Sequence, residues 1–403
     1  MQPSTDFDWR TIAALNAVST LAQVGQFGIA FVMLPVWLAQ QGLEASQLGL
    51  FAGSLWLGQL PGLALAPALC RRMGERRVIV LGLLCSLGAF VWLASAQWPW
   101  GLPGGLLAGL GLGLRWIGLE PWLYRIAPSD ARGRLVGFHE TLIALAPIVA
   151  PLLANASGMQ GHAVFWIGSG FTLAALLPLA VARAPARDAL AALKHEPLPA
   201  PAPAPAPPAR QGLGALCQQV RAEPVLLRGL VIASVGGMME AAVSGLFAVF
   251  AQDRGLQVSQ TAELLAAFGL GGLLMQYGVG WLADHRGVGP AARLCALATV
   301  LVSLALLLPL DYGLLAGAVF LLGGFITAFL TLALIASTMA TSGSMAGNVS
   351  NISFTYTLSA VAGPLLSGAA MQHSKGDALM ALTAASAALM LALLVGVGRD
   401  GEG

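Results

Sequence analysis

Two charged side chains lie deep inside apolar sequence, Arg115 in GLGLGLRWIGL and Glu240 in GGMMEAAVSG. An ionised group inside a membrane is costly, so such residues usually face an interior cavity and pair there. Two chemistries are open to Glu240: binding and releasing a proton during a cycle, or a fixed ion pair with Arg115. Arg115 can bind an anionic or polar substrate group, or serve packing and coupling. An acid suits a cationic solute and a guanidinium an anionic one, so the pair leaves the charge of a substrate open. Polar groups accompany them. Asn16, Ser19, Thr20, Gln23 and Gln26 share a helical stripe, and Thr327, Thr331 and Thr338 follow one another in a later apolar run. Gln276 and Tyr277 can hydrogen-bond a substrate or a neighbouring helix. Glu120 lies five residues beyond Arg115, roughly 140° around a helix, so its expected partner is Arg132, Arg134 or His139 rather than Arg115. His139 and Glu140 fit a solvated or gate-forming role or a proton relay.

Other chemistries find no support. Cys70, Cys85, Cys217 and Cys295 are far apart with no C-x-x-C, and Met238, Met239 and Met275 have no ordered spacing with histidine, so no metal site is suggested. No nucleophile–base pair marks an enzyme, no phosphate loop marks a primary pump, and no cofactor is implied. A net charge of +2 is far from the basic excess of a nucleic-acid binder.

The elements that position these groups are membrane helices. Of the 403 residues, 57% are apolar and 9% charged, against roughly 25% charged in a soluble domain. A helix needs about 20 predominantly apolar residues to cross a bilayer. Such stretches occur near 11–38, 47–69, 78–97, 102–124, 135–157 and 163–182, then near 227–251, 259–282, 291–309, 313–340, 350–371 and 378–397. Nothing alternates as barrel strands do. The expectation is an all-α polytopic membrane protein of twelve spans. With the N-terminus inside, all twenty basic residues except Arg115, Arg254 and Lys375 fall on the inner side or its span ends, which places both termini in the cytoplasm. Residues 183–224 include PLPAPAPAPAPPAR, an extended Pro/Ala spacer. It divides a lobe at 1–182 from a lobe at 225–403.

The lobes repeat. An ungapped offset of 213 residues aligns Gly42 with Gly255, Ser46 with Ser259, Gln47 with Gln260, Gly58 with Gly271, Gly74 with Gly287 and Pro151 with Pro364. Six spans per lobe make this a parallel repeat about an axis along the membrane normal. GWLADHRG, Gly280 to Gly287, resembles the G-x-L-A-D-x-x-G signature of the major facilitator superfamily, and the offset puts a degenerate copy at Pro67 to Arg77, with Arg71 in place of the aspartate. The segment from Glu120 to Leu142 also resembles a little-characterised bacterial branch of that family through Glu120, Trp122, Leu123, Arg132, Gly133 and Arg134.

The resemblance implies two six-helix bundles, with spans one, four, seven and ten lining a central cavity. It assigns Gly280, Asp284, Arg286 and Gly287, with Glu120, Arg132 and Arg134, to conformational gating. Arg115, Glu240, Asn16, Gln23, Gln26, Thr331, Gln276 and Tyr277 are the candidate substrate and proton groups. The expected function is secondary active transport of a small organic solute across a bacterial inner membrane by alternating access, proton-coupled, with efflux ahead of uptake of a polar metabolite. A non-transporting scaffold or sensor on the same fold is a third reading. The expected partners are a small-molecule substrate, protons and the lipid bilayer, with no nucleic acid, and the chain is expected to be a monomer.

Overall fold

The computed structural model describes residues 8–128, 132–158, 161–183, 223–341 and 345–399. Most of the Pro/Ala spacer lies outside the described residues. Those residues form helices and connecting turns with no strand.

Six helices make the first bundle: α1 (Trp9–Gln40), α2 (Ala45–Met73), α3 (Glu75–Ser95), α4 (Gly101–Ile126), α5 (Arg132–Ala144, resuming as Ala146–Ala156) and α6 (Ala163–Val181). Six more make the second: α7 (Pro224–Asp253), α8 (Val258–Arg286), α9 (Val288–Ala305), α10 (Tyr312–Met339), α11 (Met345–Ser374) and α12 (Asp377–Arg399). Eleven of the twelve are long and apolar enough to cross a membrane. The twelfth, α11, is equally long at 30 residues, but Asn348, Ser350, Asn351, Ser353 and Thr355 crowd its first half. With twelve antiparallel helices, both chain ends lie at one face, here the terminal face; the other is the far face.

The repeat is visible in local chemistry. Glu44 and Gln47 form a capping box at the start of α2, and Gln257 and Gln260 form the same box on α8. In each, two otherwise orphaned backbone donors are satisfied reciprocally. Both helices end on a glycine with left-handed φ, Gly74 at 86° and Gly287 at 84°, a conformation that favours a residue without Cβ. Inside the bundles, Gly58 sits against Leu106 O and Gly271 against Phe320 O, each too close for a Cβ. The first residues of the two contacts differ by 213 and the second by 214, so the repeat slips by one residue before α10.

Proline shapes two of the helices. Pro147 lacks an N–H and opens α5 at Leu145, where the chain makes a turn before the helix resumes. In α1 the segment Val24–Met33 widens into π geometry just before Pro35, and such bulges accommodate a break in the i→i−4 ladder. At the start of α1, the Thr11 hydroxyl and backbone N–H donate to Asp8 at 2.6 and 3.0 Å. These bonds hold the Asp8 carboxyl below the usual carboxylate range. Thr11 Oγ1 also accepts from the N–H of Arg183 at 3.0 Å, tying the end of α6 to the beginning of α1.

The bundles meet in the far half. Gly49 and Gly53 of α2 pack on Pro364, Leu365 and Gly368 of α11; Gly269 of α8 packs on Pro147 of α5; Ala52 meets Gly245 of α7. Gln372 donates to Glu44 at 3.3 Å across the same seam. Along the α2 and α11 stripes towards the terminal face, Leu57, Phe354 and Leu358 are exposed. The lobes therefore touch far from the termini and part towards them. Gly271→Leu should drive a side chain into the α10 backbone, at a cost of roughly 1–3 kcal/mol or more. A clear fall in the melting temperature of the detergent-solubilised protein is expected, and an unchanged melting curve would contradict the packing.

Candidate functional site

Arg115 is 1% exposed and does not meet Glu240. Its guanidinium is solvated by α1: Nε–H donates to Gln26 Oε1 at 2.9 Å, one terminal nitrogen donates to Ser19 Oγ at 3.2 Å, and the other donates to Gln23 Oε1. Gln26 then donates to Ser86 Oγ of α3 at 2.7 Å. The polar stripe of α1 thus points into the first bundle. A fork of N–H donors matches this set of oxygens because guanidinium geometry is rigid and planar. Gln23 and Gln26, expected as substrate groups, both accept from Arg115.

Glu240 is only partly buried and sits on α7 opposite α11. The Tyr356 hydroxyl donates to its Oε2, and no basic side chain pairs with it among the described residues. The fixed Arg115–Glu240 ion pair is therefore excluded in this arrangement. Each bundle satisfies its own charge. Tyr356 escaped the sequence reading although it is one of only four tyrosines and lies inside a span; that scarcity was the available signal.

A second polar cluster joins α1, α4 and α5. Asn16 Nδ2–H donates to Ile12 O at 2.9 Å, while its Oδ1 lies 3.0 Å from His139 Nδ1. His139 Nε2 lies 3.9 Å from Glu120 Oε1. Of the partners expected for Glu120, His139 is the one near it among the described side chains, that of Arg132 lying outside them. Tyr124 stands edge-on to the imidazole with centroids 6.0 Å apart, and its hydroxyl donates to Glu140 at 3.0 Å. Asn16 also borders an apolar groove of about 650 Å³ between α1 and α5, walled by Trp9, Ala13, Phe138 and Leu142.

The remaining candidates separate. Tyr277 is 84% exposed and Gln276 half-buried, and neither side chain makes a hydrogen bond among the described residues, so they bring no polar ligand to Glu240. Thr331 is half-buried in α10. Asp284 and Arg286 are exposed at the terminal face, as is Arg134, whereas the Arg132 side chain lies outside the described residues. Gly280 has open space about it, and Gly287 makes the tight reversal expected of it.

Arg115→Met should strand the oxygens of Gln23, Gln26 and Ser19, at about 1–3 kcal/mol for each buried acceptor left unsatisfied. Arg115→Lys, which keeps the charge but loses the fork, should fall between Met and wild type. Thermal denaturation in detergent without any ligand checks this order; equal stability of all three would show that Arg115 does not hold the first bundle together.

The sequence matches the Major Facilitator Superfamily over residues 16–364. The MFS-type transporter YcaD of Escherichia coli O17:K52:H18 is 24% identical over 368 residues, 90% of each chain, and that of Shigella flexneri serotype 5b is 25% identical over the same span. Among solved structures, a point mutant of the nucleoside transporter NupG superposes with a TM-score of 0.78 at 12% identity, covering 96% of this chain and 99% of NupG. A D-xylose-proton symporter does so at 0.70 and 15%, covering 96% and 97%. A bacterial homologue of the human lysosomal transporter Spinster, inward-facing and unoccupied, does so at 0.70 and 16%, covering 98% and 96%. The two-bundle fold with its internal repeat and the match across most of its length agree: this chain belongs to the Major Facilitator Superfamily and is a multi-pass membrane transporter of that kind.

Proposed function

We infer that the protein is a secondary active transporter that exports a small organic solute across the bacterial inner membrane in exchange for protons. The observation that carries this reading is Glu240: a carboxyl within a membrane helix, partly accessible, with a tyrosine hydroxyl and no cation as its partner among the described residues. Such a group is tolerated when it binds a proton or a cationic solute. The two occupants compete for one carboxylate, and that competition gives exchange. Under an inward proton gradient, exchange drives the solute outward. Arg115 is screened by its own bundle and serves packing, which removes the main argument for an anionic substrate.

Alternating access follows from the seam. The lobes, 1–182 and 225–403, rock about the contacts of Gly49, Gly53 and Gly269, tethered by 183–224. With the termini in the cytoplasm, the described arrangement is open to the inside. Closure of the terminal face draws the end of α8 towards α5, on which it already packs. It brings Asp284 to the α5 N-terminus, where a carboxylate is favoured. Gly280, Arg286, Gly287, Glu120, Arg132 and Arg134 belong to this gate.

In proteoliposomes under an imposed pH gradient, a compound panel should drive proton movement in wild type and none in Glu240→Gln. Proton flux that persists in Glu240→Gln would overturn the role of Glu240, and flux in the same direction as the solute would replace exchange by symport. Asp284→Asn should slow exchange severalfold without lowering the melting temperature, since Asp284 is exposed in the open arrangement; a fall in stability without any change in rate would remove it from the gate.

A further inference from the structure

Among the described residues, four buried polar side-chain atoms of the first bundle have no hydrogen-bond partner, Gln59 Oε1, Trp122 Nε1, Glu120 Oε1 and His139 Nε2, and the last two face each other at 3.9 Å. His139 is 0% exposed. Its tautomer follows from its neighbour. Asn16 donates its Nδ2–H to Ile12 O, so Oδ1 is the amide atom turned to the imidazole, and Oδ1 can only accept. The neutral ring must then carry its proton on Nδ1 and present the bare Nε2 lone pair to a carboxylate oxygen. Two acceptors facing each other inside a protein leave both desolvated and unsatisfied, a costly arrangement. One added proton answers both. On Nε2 it makes an imidazolium that donates to Oε1; on Oε1 it makes a carboxylic acid that donates to Nε2. Either needs the atoms to approach by roughly 1 Å to reach hydrogen-bond distance.

We propose that Glu120 and His139 form a proton-binding site separate from Glu240, which takes up one proton shared between Oε1 and Nε2. The groups facing it are accounted for. From α4 come Arg115, whose positive charge acts on Glu120, and Tyr124, edge-on to the ring. From α5 comes Glu140, already bound by Tyr124. From α1 comes the neutral Asn16. Uptake draws His139 towards α4, and the shift passes through Asn16 to the seam of α1 and α5, where Asn16 borders the apolar groove. Protonation in the first bundle thereby alters how α5 sits beside α1, and α5 carries the contact with α8. The proton site rests on this geometry alone; its coupling to solute movement rests on the transporter reading above.

The test is nitrogen NMR of the full-length protein in detergent, labelled on its five histidines, with His139→Gln to assign the signal. The neutral ring of His139 is expected as the Nδ1–H tautomer. In Glu120→Gln the proton shared between the two side chains should be lost, so the pH response of the His139 nitrogen signals should change, while Glu240→Gln leaves it unchanged. Glu120→Asp, which keeps the charge one methylene shorter, should lie between and serves if Glu120→Gln does not fold. An Nε2–H tautomer, or a titration indifferent to Glu120, overturns the proposal. Because no solute is needed, a positive result with no transport would leave the proton site standing and sink the transporter reading instead.

Discussion

Charge buried inside a membrane helix has to be satisfied, and where its partners sit decides what can move. Had Arg115 paired with Glu240, the two bundles would be locked by an ion pair whose rupture leaves two uncompensated charges, at a cost of several kcal/mol. Instead α1 supplies three oxygens to Arg115 and α11 supplies a hydroxyl to Glu240. Neither charge depends on the other lobe. Apart from the Gln372–Glu44 hydrogen bond, the seam between lobes is left to small and apolar residues, whose contacts are individually weak and made again as easily as they are broken.

That division explains the polar stripe of α1. It turns inward because Arg115 needs acceptors that a chain of leucines and glycines in α4 cannot offer. Around Arg115 the stripe becomes scaffold, and the polar chemistry left over lies at Glu240 on α7 and in the buried Asn16–His139–Glu120 cluster. The seam follows a similar economy of side chains. Small residues allow close approach in the far half, while Leu57, Phe354 and Leu358 continue the same stripes unpaired in the other half. One face is thus closed and the opposite face holds the apolar surface needed to close it.

Much of this architecture was legible in the residues. The twelve apolar runs, the offset of 213 and the glycines ending α2 and α8 all return as structure, because hydrophobic length and a left-handed turn are local demands. The site was less legible. Helical spacing places Gln23 and Gln26 on one stripe, yet cannot say whether that stripe looks into its own bundle or across to the other. Tyr277 in α8 looked like a ligand by type and turned out to be exposed, since one residue of rotation on a helix separates core from surface. Tyr356 was invisible as a partner of Glu240 because 116 residues separate them. The π segment of α1 depends on how α1 meets its neighbours around Pro35, and no propensity announces it.

The central claim is that two bundles, each hydrogen-bonding its own buried charge, rock about a seam in the far half. Spin labels test it directly, after replacement of the native cysteines: one pair at Arg134 and Asp284 on the terminal face, another at Gln41 and Lys375 on the far face, all exposed positions. Electron–electron distance measurements in lipid across a range of pH should show reciprocal change, the first distance shortening as the second lengthens. Distances that stay fixed, or that shorten together, would contradict the account.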